Sequence, residues 1–107
     1  MIIDLHSNDK AELAQAEELL ESLLEKIEFK KDVDDMGKLS YEIKLDAKKG
    51  ERILEQLLKF PTLRIYGKLY YDLPDRDSSW WGSTTYKSVM NPDGTRRLEV
   101  SNSTGWA

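Results

Sequence analysis

Within residues 39–106, the runs 39–45 and 63–71 alternate apolar and polar side chains with the period of two that a half-buried strand requires. The rhythm breaks for a helical stretch ending at Phe60-Pro61 and for a loop over 73–77. A chain patterned in this way makes a sheet with one buried face, and something else must cover that face. Leu39, Tyr41, Ile43 and Leu45 alternate with Ser40, Glu42 and Lys44. After the helix, Leu63, Ile65, Gly67, Leu69 and Tyr71 alternate with Arg64, Tyr66, Lys68 and Tyr70. A third block, rich in Trp, Thr, Tyr and Val, occupies 79–90. The turn Asn91-Pro92-Asp93-Gly94 then leads to a last strand over 96–101, with Leu98 and Val100 inward.

The cover is supplied by two amphipathic helices. Leu13, Ala16, Leu20, Leu23, Leu24 and Ile27 recur at three- and four-residue spacing, with Glu17, Glu18, Glu21, Glu25 and Glu28 largely opposite, which predicts a helix over 9–27. Asp9 and Glu12 match an acidic capping box at its start. Asp46 caps the second helix, whose inner stripe is Ile53, Leu54, Leu57 and Leu58, and Pro61 ends it by disfavouring the helical region at Phe60. Ile2, Ile3 and Leu5 make a short first strand. The charged connector over 30–38 is where an additional strand would restore a regular split βαβ order. The expected architecture is a single α+β domain over 1–107, a two-layer sandwich of ferredoxin-like type. Its two helices lie on one face of a four- to five-stranded, mostly antiparallel sheet.

Composition narrows the chemistry. The chain has no cysteine, so disulfides, thiolate nucleophiles and thiolate metal sites are excluded. With no signal-type leader and no apolar run of membrane length, a soluble cytoplasmic protein is expected. The net charge of −4 hides a division: residues 1–36 carry eleven acids against four lysines, whereas the remainder carries nine acids against twelve bases. An acidic first helix and a mildly basic, aromatic sheet follow.

The run Leu39-Ser40-Tyr41-Glu42-Ile43-Lys44-Leu45-Asp46, the helix closing on Phe60-Pro61, the strand from Leu63 to the Tyr71-Asp72 step, and Trp81-Gly82 together resemble the ferredoxin-like domain of Api92/YubB-like proteins. The likeness covers about half the chain, and Asp46-Ala47-Lys48-Lys49 stands where that family has a Trp-rich Pro-Pro segment. It implies a fold and a phage or plasmid source, and it transfers no catalytic residue.

Candidate sites are few. His6, the single histidine, lies in a period-two relation to Asp4, but a general base needs a nucleophile or pocket to act on. Asp32, Asp34 and Asp35, with Gly37, imitate the start of a calcium loop, yet Ile43 occupies the position of the chelating glutamate. No metal or cofactor is expected. Arg64, Tyr66, Lys68 and Tyr70 share a strand face in the manner of sheets that stack bases, which makes single-stranded RNA or DNA binding the alternative reading. Trp80 and Trp81 fall on opposite faces, and exposed tryptophans dominate protein-binding hot spots.

The first expectation is therefore a small non-enzymatic module that binds a protein through Glu17, Glu21, Glu25, Asp32, Asp34, Asp35, Trp80 and Trp81. Its sharpest form is an anti-CRISPR-like inhibitor of a host defence system, or of a toxin, with the acidic helix facing a basic surface that meets nucleic acid.

Overall fold

The computed structural model describes residues 1–72 and 80–106, apart from the side chains of Asp72, Trp80 and Trp106. In chain order the elements are β1 (Ile2–His6), α1 (Lys10–Leu24), β2 (Phe29–Val33), β3 (Leu39–Ile43), α2 (Ala47–Leu57), β4 (Arg64–Asp72), β5 (Trp80–Met90) and β6 (Arg96–Trp106). They form an α+β structure with one six-stranded sheet of order β2-β3-β1-β4-β5-β6, in which every neighbouring pair is antiparallel. Each helix therefore joins two parallel strands that flank a third: α1 links β1 to β2 around β3, and α2 links β3 to β4 around β1.

Six strands stand where four to five are expected, and the connector over 30–38 accounts for part of the difference. It contains β2, which pairs with β3 from Phe29 opposite Ile43 to Val33 opposite Leu39. Its charges disguise it because it is an edge strand, where Lys30, Lys31 and Asp32 blunt further pairing. The last strand also runs five residues beyond its expected end at 101, and Val100, which stands opposite Tyr86 on the inner face as expected, is left 49% exposed there. Leu98 keeps its expected place, packed against the core.

Both helix starts follow the sequence. The Asp9 carboxylate accepts the amides of Ala11 and Glu12 at 3.0 and 3.1 Å, and Asp46 accepts that of Lys49 at 2.8 Å. The reciprocal half of the capping box is not formed, since the Asp9 amide donates to the Ser7 hydroxyl at 3.0 Å and leaves Glu12 free to turn inward. At its other end α1 stops three residues early. Glu25 takes a positive φ of 49°, and a turn closed by the Ile27 amide on the Leu24 carbonyl at 2.8 Å reverses the chain toward β2.

The core lies between the helices and one sheet face. Ile3, Leu5, Tyr41, Ile43, Ile65 and Tyr86 meet Ala16, Leu20, Leu24, Ile53, Leu54 and Leu57, all at most 4% exposed. Two sheet tyrosines tie the layers together, with the Tyr41 hydroxyl donating to Glu21 of α1 and the Tyr86 hydroxyl to Glu51 of α2, each at 3.0 Å. The radius of gyration, 14.7 Å, exceeds the ~13 Å of a compact chain of this length. The excess follows from the ribbon β4-β5-β6, which outruns the helices and leaves Tyr71 39% exposed on the helix side.

Candidate functional site

Strand alternation turns Ile3, Leu5, Tyr41, Ile65 and Tyr86 toward the helices, and the same alternation turns a second set outward. Among the described residues, no helix covers that second face. From β4 it presents Arg64, Tyr66, Lys68 and Tyr70, as the sequence predicts, and the pairing register places β5 residues beside them: Lys87 opposite Tyr66, Thr85 opposite Lys68 and Ser83 opposite Tyr70. The face is electrically divided. Asp4, Asp32 and Glu42 outnumber Lys30 on β1, β2 and β3, whereas Arg64, Lys68, Lys87 and Arg97 outnumber Glu99 on β4, β5 and β6.

At the distal end of the basic half, three side chains pack on one another. The Lys68 ammonium sits 5.0 Å from the centre of the Tyr70 ring, and Tyr70 meets Trp81 edge-on with centroids 5.7 Å apart. Hydrogen bonding and charge from Tyr70 hold Lys68 above the ordinary lysine range. The Trp81 indole in turn lies over Gly105, its direct cross-strand neighbour, where a β-carbon would come within 2.1 Å of the ring. Glycine is required there because the indole occupies the space of its missing side chain. On the opposite face Tyr71 covers Gly82 in the same way, with 2.4 Å left for a β-carbon. Aromatic-over-glycine pairs thus hold both faces of the ribbon. Tyr70 stays 54% exposed.

At the end of the sheet where β1 begins, a groove of about 500 Å³ reaches between the two faces, lined by Met1 and by Phe29, Ile43, Leu45 and Leu69 of the inner side, and by Lys30, Glu42 and Tyr70 of the open side. A shallower hollow of about 260 Å³ lies at the other end of the face, lined by Asp4, His6, Lys38, Arg64 and Tyr66. The Asp4 carboxylate accepts the Ser40 hydroxyl at 2.7 Å, and the strand partner of His6 is Arg64.

The acids expected to meet a partner do not gather on one surface. Glu17 and Glu21 both pair with Lys31 at 3.0 Å, and Glu21 also accepts the Tyr41 hydroxyl, so these two fasten α1 to the β2 edge. Glu25 is exposed at the end of α1. Asp32 is on the open sheet face. Asp34 holds the β2–β3 loop, accepting the amides of Met36 at 2.9 Å and Lys38 at 2.8 Å, while Asp35 is exposed in that loop. Among the described residues, no three histidine or acidic side chains converge as a metal site would require. Trp81 is on the open face, across the sheet from α1, and the Trp80 side chain lies outside the described residues.

Lys87, Arg97 and Gly105 belong to this surface although nothing local in the sequence marks them. Only the register of β5 against β4 and β6 places Lys87 opposite Tyr66, Gly105 opposite Trp81 and Arg97 opposite Val89 on the same face. Among the described residues no helix is long and apolar enough to cross a membrane. The chain matches no family model, no curated protein and no solved structure.

Proposed function

We propose that the protein is a non-enzymatic binding module that engages another protein through the open face of its sheet. The observation that carries this reading is the stack of Lys68, Tyr70 and Trp81 on Gly105, exposed on a face that no helix covers. Side chains already packed against one another lose little freedom on association, and tyrosine and tryptophan supply the area on which hot spots depend. The neighbouring groove offers a place for an apolar partner side chain, and Asp4, Asp32 and Glu42 favour a partner with basic residues on that side.

We read the first four strands with α1 and α2 as a ferredoxin-like layout, extended by the β5–β6 hairpin. Together with the likeness to Api92/YubB-like proteins, the small size and the acidic first third, this supports the sharper form. In that form the chain is a phage- or plasmid-encoded inhibitor of a host defence protein or toxin, and it occupies a surface that otherwise meets nucleic acid.

The alternative is single-stranded RNA or DNA, favoured by the common outward direction of Arg64, Tyr66, Lys68 and Tyr70. Two features weigh against it. Lys68 already occupies the Tyr70 ring face on which a base would stack, and Asp4, directly opposite Tyr66, repels phosphate.

Affinity capture from a bacterial lysate with wild-type and Tyr70→Ala bait tests the first reading. The expected result is a protein retained by the wild type and lost with the variant, whose exposed side chain is dispensable to the fold. Equal capture by both baits would remove the open face from the interface. Oligonucleotide binding at low salt that Tyr66→Ala abolishes would transfer the function to the alternative.

A further inference from the structure

The two edges of the sheet are unlike. β2 is short, with three of its five residues charged, whereas β6 is eleven residues long with charges only at Arg96, Arg97 and Glu99, and no proline or bulge interrupts its one-to-one register from Arg96 to Trp106. No further strand lies beyond β6 among the described residues. A long regular edge without such devices is a template for another strand.

The hairpin geometry shows which groups that edge offers. The Asn91 amide donates to the Thr95 carbonyl at 2.7 Å, making these two a hydrogen-bonded pair. Alternation along an antiparallel ladder then turns the amides and carbonyls of Arg97, Glu99 and Ser101 toward β5. Those of Arg96, Leu98 and Val100 turn outward, away from the sheet.

We propose that β6 pairs with β6 of a second copy of this chain, antiparallel and centred on Leu98, to form a two-fold symmetric dimer with one continuous sheet. Charge selects this register. Centred on Leu98, Arg97 of each copy stands opposite Glu99 of the other, as a close pair without backbone hydrogen bonds between them, while Arg96 and Val100 exchange amide and carbonyl bonds across the axis. Centring on Arg97 would oppose two arginines, and centring on Glu99 two glutamates. Arg97 already donates from Nε to Asn91 at 2.9 Å, which leaves its terminal nitrogens for the second copy, and Lys87, the β5 neighbour of Glu99, adds a second cation to the same cluster. This half of β6 is also the end remote from the pairing of Trp80 with Trp106. The two-fold axis is perpendicular to the sheet, so both open faces point the same way. The two basic, aromatic halves become adjacent at the centre of the dimer, and the acidic halves lie at its ends.

Sedimentation of the full chain at low salt, from micromolar to several hundred micromolar, should give a concentration-dependent dimer. Glu99→Lys should weaken it by about tenfold or more, which is ~1.4 kcal/mol. Exchanging both charges in one chain, R97E with E99R, should restore it. Val100→Pro removes only an outward amide, so it should leave circular dichroism unchanged and abolish the dimer. A wild type that stays monomeric throughout would overturn the proposal and leave the edge to a strand of another protein. A dimer indifferent to Val100→Pro would place the contact elsewhere. Failure of the exchanged pair to rescue would overturn the register.

Discussion

Glu12 lies in the first turn of α1 and Glu25 caps its other end, and the two glutamates are placed in opposite ways. Glu12 is 8% exposed, and its carboxylate accepts the Thr62 amide at 3.0 Å and also the Thr62 hydroxyl, which pins the start of α1 to the loop that precedes β4. Arg96 reaches the same loop from β6 and donates to the carbonyls of Phe60 and Leu63. The capping-box spacing of Asp9 and Glu12 is thus present in the sequence, but the second residue serves a long-range contact that no local pattern specifies. Glu25 is exposed, with φ 49° and ψ −108°, values that suit glycine at the first central position of a type II′ turn. Relief of that backbone is worth ~1–3 kcal/mol, against the ~0.5–1 kcal/mol that glycine loses in chain entropy. Glu25→Gly should therefore raise the unfolding free energy by about 1 kcal/mol, read as a higher urea midpoint at unchanged slope. A lower midpoint would mean that the glutamate side chain contributes more than its strain costs.

At the scale of elements, legibility followed the strength of the period. Both helices, β3 and β4 were readable because their buried faces are continuous: Ala16, Leu20 and Leu24 on α1, or Leu63 and Ile65 leading into β4. β2 was legible only as an additional strand that the topology had room for in the connector, and its own residues do not mark it, because an edge strand gains from Lys30, Lys31 and Asp32 what an inner strand gains from leucine. The end of β6 was hidden for a different reason. Beyond Ser101, Asn102, Ser103 and Thr104 carry no apolar side chain to mark a strand, and only the partner strand, with Trp81 lying over Gly105, explains why they stay extended. Gly105→Val tests that explanation. The added side chain cannot coexist with the indole, so Trp81 must leave its place, at ~1–3 kcal/mol for an overpacked contact. Tryptophan fluorescence should shift to the red, and amide exchange should quicken in β5 and β6 while α1 keeps its protection. An unchanged spectrum would mean that the indole is not seated on the glycine.

The molecule as a whole is a sheet with one face spent on folding and the other left open, and its stability rests on how the helices are held to the first. Burial of leucine and isoleucine supplies most of that cohesion, but a tyrosine–glutamate hydrogen bond fixes each helix in place. Tyr41 is bonded to Glu21 and Tyr86 to Glu51. Burial first, and then the carboxylate partner, raises the pKa of both phenols, that of Tyr86 from 10.0 to about 12. A phenol whose pKa is higher in the folded than in the unfolded chain gives stability that is fully present below pH 10. That stability is lost as the pH rises through the folded value. For Tyr86 the difference amounts to on the order of 2–3 kcal/mol, so the unfolding free energy should fall between pH 10 and about 12. Tyr86→Phe separates this contribution from general charge repulsion. The variant should lose about 1 kcal/mol near neutral pH, the worth of one buried hydrogen bond, and leave the Glu51 carboxylate to water. In alkali it should decline less steeply than the wild type, because the ionising group is gone. Parallel decline of the two proteins above pH 10 would mean that Tyr86 ionises as readily in the fold as in the unfolded chain, and that its contact with α2 stabilises neither protonation state over the other.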